Sequence, residues 1–318
     1  MLTVRERRPG DEAAVAALLA DTADRVAAAE PRIRLGREPG PGPALVAVGP
    51  DGTVHGHVRP EPHEAAPDER LYAPDRSAAW TATAVDGPEA AVALAAAIRS
   101  GGGPDDAGGG APGAARVLAG GYGAEADGVL WPAADGVAGE WWAAAGMERA
   151  GHYCLRPPDP LPGALPTGVT VRTAGLADAD ELVALHQEAI AFQERASPYV
   201  RLLPEGLDAV RTRLRTGSST STVLESGGRL VAVCEWWPVD GAGPPLPPGR
   251  YVYLNSVGVT AGARAAGLGR ALVAAAIAAA GPDLDGSTLW FSPQNPIASR
   301  VWPHLGWRPY WTSWEHRA

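Results

Sequence analysis

A strand, a glycine-bearing turn and a helix follow one another between Tyr251 and Leu272, and this order constrains the fold more than any other stretch of the chain. Tyr251–Val259 is rich in Tyr and Val, which is typical of a β-strand, and the Ala/Leu-rich run Arg270–Ala280 predicts a helix. Gly267 and Gly269 open that helix. Bare N–H groups at a helix N-terminus hold anions, and glycine lets the backbone approach a phosphate closely.

Two arginines, Arg264 and Arg270, flank this turn and can add charge-assisted hydrogen bonds. The stretch lacks both the Gly-Lys-Ser/Thr of a P-loop and the G-x-G-x-x-G of a dinucleotide-binding turn, so it belongs to neither class. A glycine pair before a helix is equally consistent with an ordinary tight turn. The turn therefore predicts an anion site only if the surrounding motifs agree.

The chain repeats itself imperfectly, and its 318 residues suffice for two domains of ordinary size. A Pro-rich linker at 157–167 separates a first domain, 1–156, from a second, 168–318. Both halves start with Thr-Val-Arg, with an Asp six residues after the Arg, and both end a short helix with a Trp four residues before a Gly. The repeated residues are Arg5 with Asp11, Arg172 with Asp178, Trp142 with Gly146, and Trp302 with Gly306. We interpret this as a duplicated domain; chance similarity of Ala-rich helices is the alternative.

Composition excludes several classes of protein. A formal net charge of −9 argues against a nucleic-acid-binding protein. The two cysteines, Cys154 and Cys234, form no disulfide framework. No apolar run is long enough to span a membrane, and the N-terminus lacks an apolar signal core. We therefore expect a soluble cytoplasmic protein that has no membrane partner.

Several local elements are predicted from turn and strand signals. A hairpin is expected around Asp51-Gly52 and a strand at Ala78–Val85. A further short strand is expected at Arg116–Gly121, after a Gly/Ala/Asp/Pro loop at Gly101–Pro112. Asp240–Gly249 is predicted to be a loop because of its Pro and Gly content.

Residues 168–318 resemble a complete GCN5-related N-acetyltransferase (GNAT) domain. The resemblance depends on the element order, on Arg-x-x-Gly-x-Gly after a Val-x-Val strand, and on a second motif that starts at Asn295 and ends at Gly306-Trp307. It implies an α/β fold made of two GNAT-like domains, each a mostly antiparallel mixed sheet flanked by helices. In the C-terminal copy, a parallel strand pair would splay apart.

The resemblance also implies an acyl-CoA cosubstrate. Acetyl-CoA is the expected one, because no enlarged acyl pocket can be recognised from the sequence. Main-chain groups of the strand and turn would hold the pantetheine and the pyrophosphate, and side chains of the second motif would contact the same molecule. The residues expected to bind it are Val257, Gly258, Val259, Arg264, Ala265, Ala266, Gly267, Leu268, Gly269, Arg270, Asn295, Ser299 and Trp302. No metal site is expected, because the histidines do not pair with carboxylates or cysteines at ligand intervals.

The expected catalytic residues are Glu235, Tyr253 and Asn255. Tyr253 lies where some GNAT members have a carboxylate base, but a phenol with a pKa of about 10 is a poor base. Asn255 cannot act as a base either. Glu235 is left as a base that acts through water; the alternative is that Glu235 is only a solvated charge on the hairpin. Trp302 stands where the family often has a Tyr acid, and an indole N–H is far too weak an acid for that role.

Other residues leave alternatives open. His186 and His304 are further candidates for proton transfer, although a lone histidine on a helix is more often structural. Cys234 could be a nucleophile, but a small buried hydrophobic side chain is the better interpretation. In the first half, Asp86, Pro88 and Glu89 replace the glycine turn, so we expect no CoA bound there in the usual way.

The expected reaction is transfer of an acetyl group to the amine of a small molecule. Trp236, Trp237 and Trp290 on strands beside the cleft would suit a flat or cationic acceptor, and the loop Glu194–Pro204, with two arginines, would cover it. The alternatives are a non-catalytic protein that binds CoA or sequesters a small molecule, and acetylation of a protein N-terminus or lysine.

Overall fold

The computed structural model describes residues 1–65, 76–100, 126–243, 245–264 and 267–317. These residues form two compact units. Unit 1 comprises the described residues of 1–65 and 76–150 together with 311–317. Unit 2 comprises 151–310.

Unit 1 is a mixed sheet with helices against it. Its strands follow the order β1-β2-β3-β4-β5-β12, antiparallel except for the parallel pair β4 and β5. The elements are β1 (Thr3–Glu6), α1 (Glu12–Ala29), β2 (Leu45–Val48), β3 (Val54–Glu64), β4 (Arg76–Val85), α2 (Pro88–Ser100), β5 (Ala126–Pro132), α3 (Gly136–Ala144) and β12 (Arg308–Arg317). The core lies between this sheet and its helices, with Leu94, Trp131 and Trp142 among its buried residues.

Unit 2 repeats the plan with a longer sheet face. Its strands follow the order β6-β11-β10-β9-β8-β7, and β10 with β11 is the parallel pair. The elements are β6 (Glu148–Arg156), β7 (Val169–Thr173), α4 (Ala179–Ala196), α5 (Pro204–Thr216), β8 (Thr220–Ser226), β9 (Arg229–Gly243), β10 (Leu246–Val259), α6 (Leu268–Ala280), β11 (Gly286–Phe291) and α7 (Ala298–His304). One core cluster packs α6 on the sheet, and a smaller one packs α4 on the other face.

The repeated Arg and Asp of the sequence form the same ion pair in both units. Arg5 binds both carboxylate oxygens of Asp11 at 2.6 and 2.8 Å. Arg172 binds both oxygens of Asp178 at 2.8 Å. Each Asp also accepts a main-chain N–H three residues earlier, so it joins the first strand to the turn that starts the first helix.

The last strand of each sequence half completes the sheet of the other half's unit. Trp311–Arg317 of β12 pairs with β5 in unit 1, and His152–Arg156 of β6 pairs with β11 in unit 2. The domain limits 1–156 and 168–318 stay a prediction about how the copies are arranged in sequence. The compact units cut the chain differently at both closing strands.

Some local expectations are confirmed and others are wrong. The hairpin at Asp51-Gly52 is present as β2 and β3. The expected loop Asp240–Gly249 is largely strand, because β9 and β10 continue through it around a register shift that accommodates its prolines. Strand β5 was not predicted, since its Ala-Asp-Gly start has poor β propensity. The expected strand Arg116–Gly121 and loop Gly101–Pro112 lie outside the described residues, and no helix among those described is long and apolar enough to cross a membrane.

Candidate functional site

Strands β10 and β11 separate part-way along their length. Their parallel pairing covers only Tyr251–Leu254 against Gly286–Leu289. Beyond that point Ser256–Val259 pairs with β9, and β11 continues against β6, where Phe291 lies opposite His152. The facing edges of the two strands therefore diverge, as the sequence predicted, and leave main-chain groups open to a ligand.

A β-bulge marks the point of separation. Leu254 lies opposite Trp236 and Ser256 lies opposite Glu235, so Asn255 has no residue opposite it on β9. Such an inserted residue bends its strand and increases the local twist. The bulge follows directly after the last parallel pair and so accounts for the divergence of the strands.

The glycine turn leads directly into α6, whose N-cap residue is Gly267. Gly267 has φ +75°, a left-handed conformation that favours glycine, and the buried Leu268 anchors the first turn of the helix in the core. A Cβ added to Gly269 would meet its nearest atom, on β10, at 3.7 Å. Within the described part of the chain, no carbonyl accepts the N–H of Leu268 or Gly269. Ala265 and Ala266 lie outside the described residues.

Arg264 is engaged within the turn. Its Nε donates to the carbonyl oxygen of Val259 at 3.1 Å, and its Nη2 lies 3.4 Å from the Glu188 carboxylate. The guanidinium also lies over the Phe192 ring. Glu188 accepts the N–H of Ala261 at 2.8 Å as well. Glu188 and Phe192 were missed by the sequence analysis, because only the fold brings α4 next to this turn.

Asn295 caps the start of α7. Its Oδ1 accepts the N–H groups of Ile297 and Ala298, each at 3.1 Å. Only its amide nitrogen is therefore left to donate to a ligand. Ser299 donates its hydroxyl to the carbonyl oxygen of Pro293 at 2.7 Å, which holds the same turn.

The two remaining side chains expected to contact the cosubstrate, Trp302 and Arg270, differ in burial. Trp302 is half-buried and packs edge-on against Trp307, with ring centroids 5.4 Å apart, so it belongs at least partly to the core. Arg270, in the first turn of α6, is exposed to solvent.

The strand residues Val257, Gly258 and Val259 lie beyond the bulge. Val257 and Val259 pack toward the α6 cluster. Gly258 faces α4, where a Cβ would lie 3.2 Å from the Ala189 side chain and 3.7 Å from the Leu185 carbonyl oxygen. The absence of a side chain at this position lets α4 approach β10 closely.

Glu235 and Asn255 meet on the α4–α5 face of the sheet. Glu235 is 1% exposed and accepts hydrogen bonds from Arg213 at 2.7 and 3.0 Å, from Ser219 at 2.7 Å and from the Asn255 amide at 2.9 Å. Burial by itself raises the pKa of this carboxyl, but Arg213 and the other donors hold the pKa below its usual value. The geometry describes a buried carboxylate whose two oxygens each accept two hydrogen bonds, which favours its ionised form.

The aromatic residues divide between the two faces of the sheet. Tyr253 stacks obliquely on Trp237, with centroids 5.0 Å apart. Trp236 is buried and donates to Thr222, so it is a core residue and the expectation that it walls the acceptor cleft is wrong. Adjacent strand residues point to opposite faces, which is why Trp236 and Trp237 separate. Trp290 lies over the backbone at Gly151, where a Cβ would meet its ring at 2.0 Å.

Nε2 of His186 and Oγ of Ser256 are among the buried polar atoms of unit 2 that lack hydrogen-bond partners within the described residues. Burial lowers the pKa of His186, so its imidazole is neutral at pH 7. Cys234 is fully buried and its pKa is raised by burial, which makes it an inert thiol. His304 is exposed at the end of α7.

The family comparison agrees with this geometry. The model of the acetyltransferase (GNAT) family matches residues 184–307, which include the divergent strands, the glycine turn and the Asn295 cap. Residues 184–307 are a GNAT acetyltransferase domain. The resemblance noted from the sequence is thereby confirmed for unit 2.

Solved structures extend the likeness to the whole chain. A GCN5-related N-acetyltransferase from Sphaerobacter thermophilus is 15% identical, covers 99% of this chain and 95% of its own, and superposes with a TM-score of 0.52. At that identity it shows the fold alone, and it agrees with the expected pair of GNAT-like domains. No curated protein sequence matches the chain.

Two further structures are similar at lower TM-scores. A tandem GNAT protein from the clavulanic acid biosynthesis pathway is 18% identical and covers 100% of this chain and 98% of its own, with a TM-score of 0.46. An aminoglycoside N-acetyltransferase in complex with CoA is 16% identical and covers 46% of this chain and 93% of its own, with a TM-score of 0.37. Among the described residues, no three or more His, Cys, Asp or Glu side chains gather as a metal site would require.

Proposed function

We propose that unit 2 binds acetyl-CoA and transfers the acetyl group to an amine of a small-molecule acceptor. The observation that carries this proposal is the opening between β10 and β11 after Leu254, together with the N–H groups of Leu268 and Gly269, which no carbonyl of the described residues accepts. Acetyl-CoA would supply the thioester: the amine nitrogen forms a bond to its carbonyl carbon, the C–S bond breaks, and the thiolate leaves while the nitrogen loses a proton.

The residues present fit acetyl-CoA. Gly269 leaves open the space that a phosphate would need, and the first turn of α6 offers unpaired donors at the positive end of a helix of 13 residues. Arg270 is exposed there and adds a positive charge. Open strand edges at Val257–Val259 would pair with the pantetheine amides, and an N–H of this edge would stabilise the oxyanion.

The acceptor would lie on the α4–α5 face, beside the bulge at Asn255. His186 and Ser256 supply unpaired buried polar atoms on that face, and Tyr253 and Trp237 supply aromatic surface. Burial keeps the His186 imidazole neutral, so its Nε2 can form a hydrogen bond to the acceptor. A small amine suits a face of this kind, and a protein N-terminus or lysine remains a competing acceptor for the assay to separate.

A second candidate function is CoA binding without turnover. It is favoured by the fully hydrogen-bonded state of Glu235 and by Trp302, which cannot reprotonate a thiolate. CoA thiolate is a stable leaving group near neutral pH, so the lack of an acid is compatible with turnover as well. The two functions differ in whether thiol is released.

The deciding experiment is a thiol-release assay with acetyl-CoA against an amine library and a peptide library, combined with calorimetric titration of acetyl-CoA. The proposal expects saturable binding and thiol release with at least one small amine. Release with peptides only would transfer the function to protein acetylation. Binding without release on either library would support the second candidate, and no binding would refute both.

The protein's own thiols leave this assay clean. Burial raises the pKa of Cys154 to about 12, and Cys234 is buried as well, so we expect neither to react with the thiol reagent in the folded protein. The control is the same reagent in denaturant, where both cysteines should react. Fast reaction of the native protein would contradict the burial of these side chains.

A further inference from the structure

A buried ion pair lies on the α4–α5 face of unit 2, beside the strand that carries the opening. Arg213 of α5 donates two hydrogen bonds to Glu235 of β9, at 2.7 and 3.0 Å. Ser219 donates a third at 2.7 Å, and Asn255 donates a fourth at 2.9 Å. Four donors thus converge on one carboxylate that is 1% exposed, which uses all of its strong acceptor positions.

Asn255 connects this carboxylate to the opening. It is the unpaired residue of the bulge on β10, and the parallel pairing with β11 ends one residue earlier, at Leu254. An inserted residue is otherwise held only by its neighbours in the chain, so its orientation depends on what its side chain binds. Here that partner is Glu235, whose own position is determined by Arg213.

We infer that Glu235, held by Arg213, is a positioning residue that fixes the Asn255 bulge and through it the opening between β10 and β11. This inference rests on the proposed function for its role in catalysis. A buried carboxylate loses much stability when one partner is removed, so the ion pair resists displacement by a bound acceptor or by water.

The competing role, a general base acting through water, requires a carboxyl that gains and loses a proton near the working pH. Among the described residues, the charged and titratable groups around Glu235 include Arg213, His186 and the thiol of Cys234. Arg213 and the hydroxyl and amide donors stabilise the ionised form, and the pKa lies below the usual value despite burial. A carboxylate of this kind is too weak a base for that work.

The test uses full-length Asn255→Ala, Glu235→Gln and the double variant, with acetyl-CoA affinity from calorimetry, steady-state kinetics and hydrogen exchange at 255–259. The positioning role predicts that each single variant weakens acetyl-CoA binding about tenfold, because one charge-assisted hydrogen bond is lost. The double variant should be no worse than the weaker single variant, since both substitutions break one connection. The pH–rate profile should keep its shape.

The base role predicts a different pattern. Glu235→Gln would then lower kcat by about two orders of magnitude and remove the acidic limb of the pH–rate profile. Acetyl-CoA affinity would stay unchanged in Glu235→Gln, and Asn255→Ala would change kcat and affinity little. That pattern overturns the inference. As a control on the same helix as Arg213, Arg211→Met should leave acetyl-CoA affinity unchanged, because the carboxylates that Arg211 pairs with in the described part of the chain are exposed.

Hydrogen exchange separates failure of this inference from failure of the proposed function. If the wild-type protein binds no acetyl-CoA, the proposed function fails, yet faster exchange at 255–259 in Asn255→Ala still supports the anchored bulge. Unchanged exchange in both Asn255→Ala and Glu235→Gln refutes the anchor. If Glu235→Gln does not fold, the same measurements on Asn255→Ala test the inference, because Asn255 is only half-buried.

Discussion

The two units share an Arg–Asp ion pair and a helix-ending glycine, and they differ at the turn where a ligand would bind. Both units contain the bidentate Arg–Asp pair, and both end their last short helix in the same way. Gly146 and Gly306 have φ of +75° and +99°, and in each case the next N–H bonds the carbonyl of the preceding Trp at 3.0 Å. These features preserve the backbone of each copy.

The turns before α2 and α6 share one hydrogen bond but differ in conformation and chemistry, because Gly267 is left-handed at φ +75° and Gly87 is not. Gly87 precedes α2 and Gly267 precedes α6, and each offers its carbonyl to the N–H four residues later. Unit 1 then has Pro88 and Glu89, whereas unit 2 has Leu268 and Gly269. Proline removes one donor and glutamate repels an anion, so we expect no phosphate to bind at the turn of unit 1.

The largest expected effect tests which unit each closing strand belongs to. Trp314 lies in the core of unit 1 and Trp307 in the core of unit 2, although they are close in sequence. Trp314→Ala should destabilise unit 1 by about 3–5 kcal/mol because it removes a buried indole. Hydrogen exchange should then accelerate in β1–β5.

Trp307→Ala is the matched control, and it should accelerate exchange in β7–β11 instead. If both variants accelerate hydrogen exchange only in unit 2, then β12 does not close the sheet of unit 1 and the assignment of closing strands is wrong.

The next effect concerns the glycine turn. Gly269→Glu gives unit 2 the acidic residue that unit 1 has at Glu89. The helix start should be preserved, because a carboxylate at a helix N-terminus is favourable, while acetyl-CoA affinity should fall about a hundredfold through charge repulsion. Calorimetric titration and far-UV circular dichroism measure the two quantities.

The matched control is Glu89→Gln, which should leave acetyl-CoA affinity unchanged. A gain in affinity or a second binding event in that variant would place a CoA site in unit 1 and break the distinction between the units.

The smallest expected effect tests the Arg–Asp ion pair that both units contain. Hydrogen bonds from Arg5 hold the pKa of Asp11 at about 2, and those from Arg172 do the same for Asp178, against an ordinary value of 3.8. Asp11→Asn and Asp178→Asn should each lower the free energy of unfolding by about 1 kcal/mol at pH 7. Urea unfolding monitored in each unit measures this.

The pH dependence has a definite sign. The unfolded carboxyls bind more protons than the folded ones between the two pKa values, so this stabilisation is complete above the ordinary value and is lost as the pH falls toward 2. Each Asn variant should lose that part of the acid dependence. A loss confined to one unit would show that the repeated ion pair is not equivalent in the two copies.

Much of the fold was predictable because its signals are local. The repeated Asp after Thr-Val-Arg, the hairpin at Asp51-Gly52 and the glycine turn at Gly267 each depend on a few neighbouring residues. The missed strand β5 and the strand continuation through 240–249 depend on pairing with distant partners, which overrides weak β propensity.

The site divides in the same manner. The glycine turn and the Asn295 motif were recognisable from spacing, but the partners of Arg264 and Glu235 were not. Glu188 lies 76 residues from Arg264, and Arg213 lies 22 from Glu235. No local pattern specifies such pairs, because they form only when helices pack on the sheet.

By itself, the sequence determined that the chain contains two similar halves and that only the second carries a bare-amide turn, since repeats and glycine spacing are properties of the chain. The tertiary structure alone decided which strand closes which sheet and which donors surround Glu235. Backbone pairing and burial join residues far apart in sequence, and their energies depend on that joining.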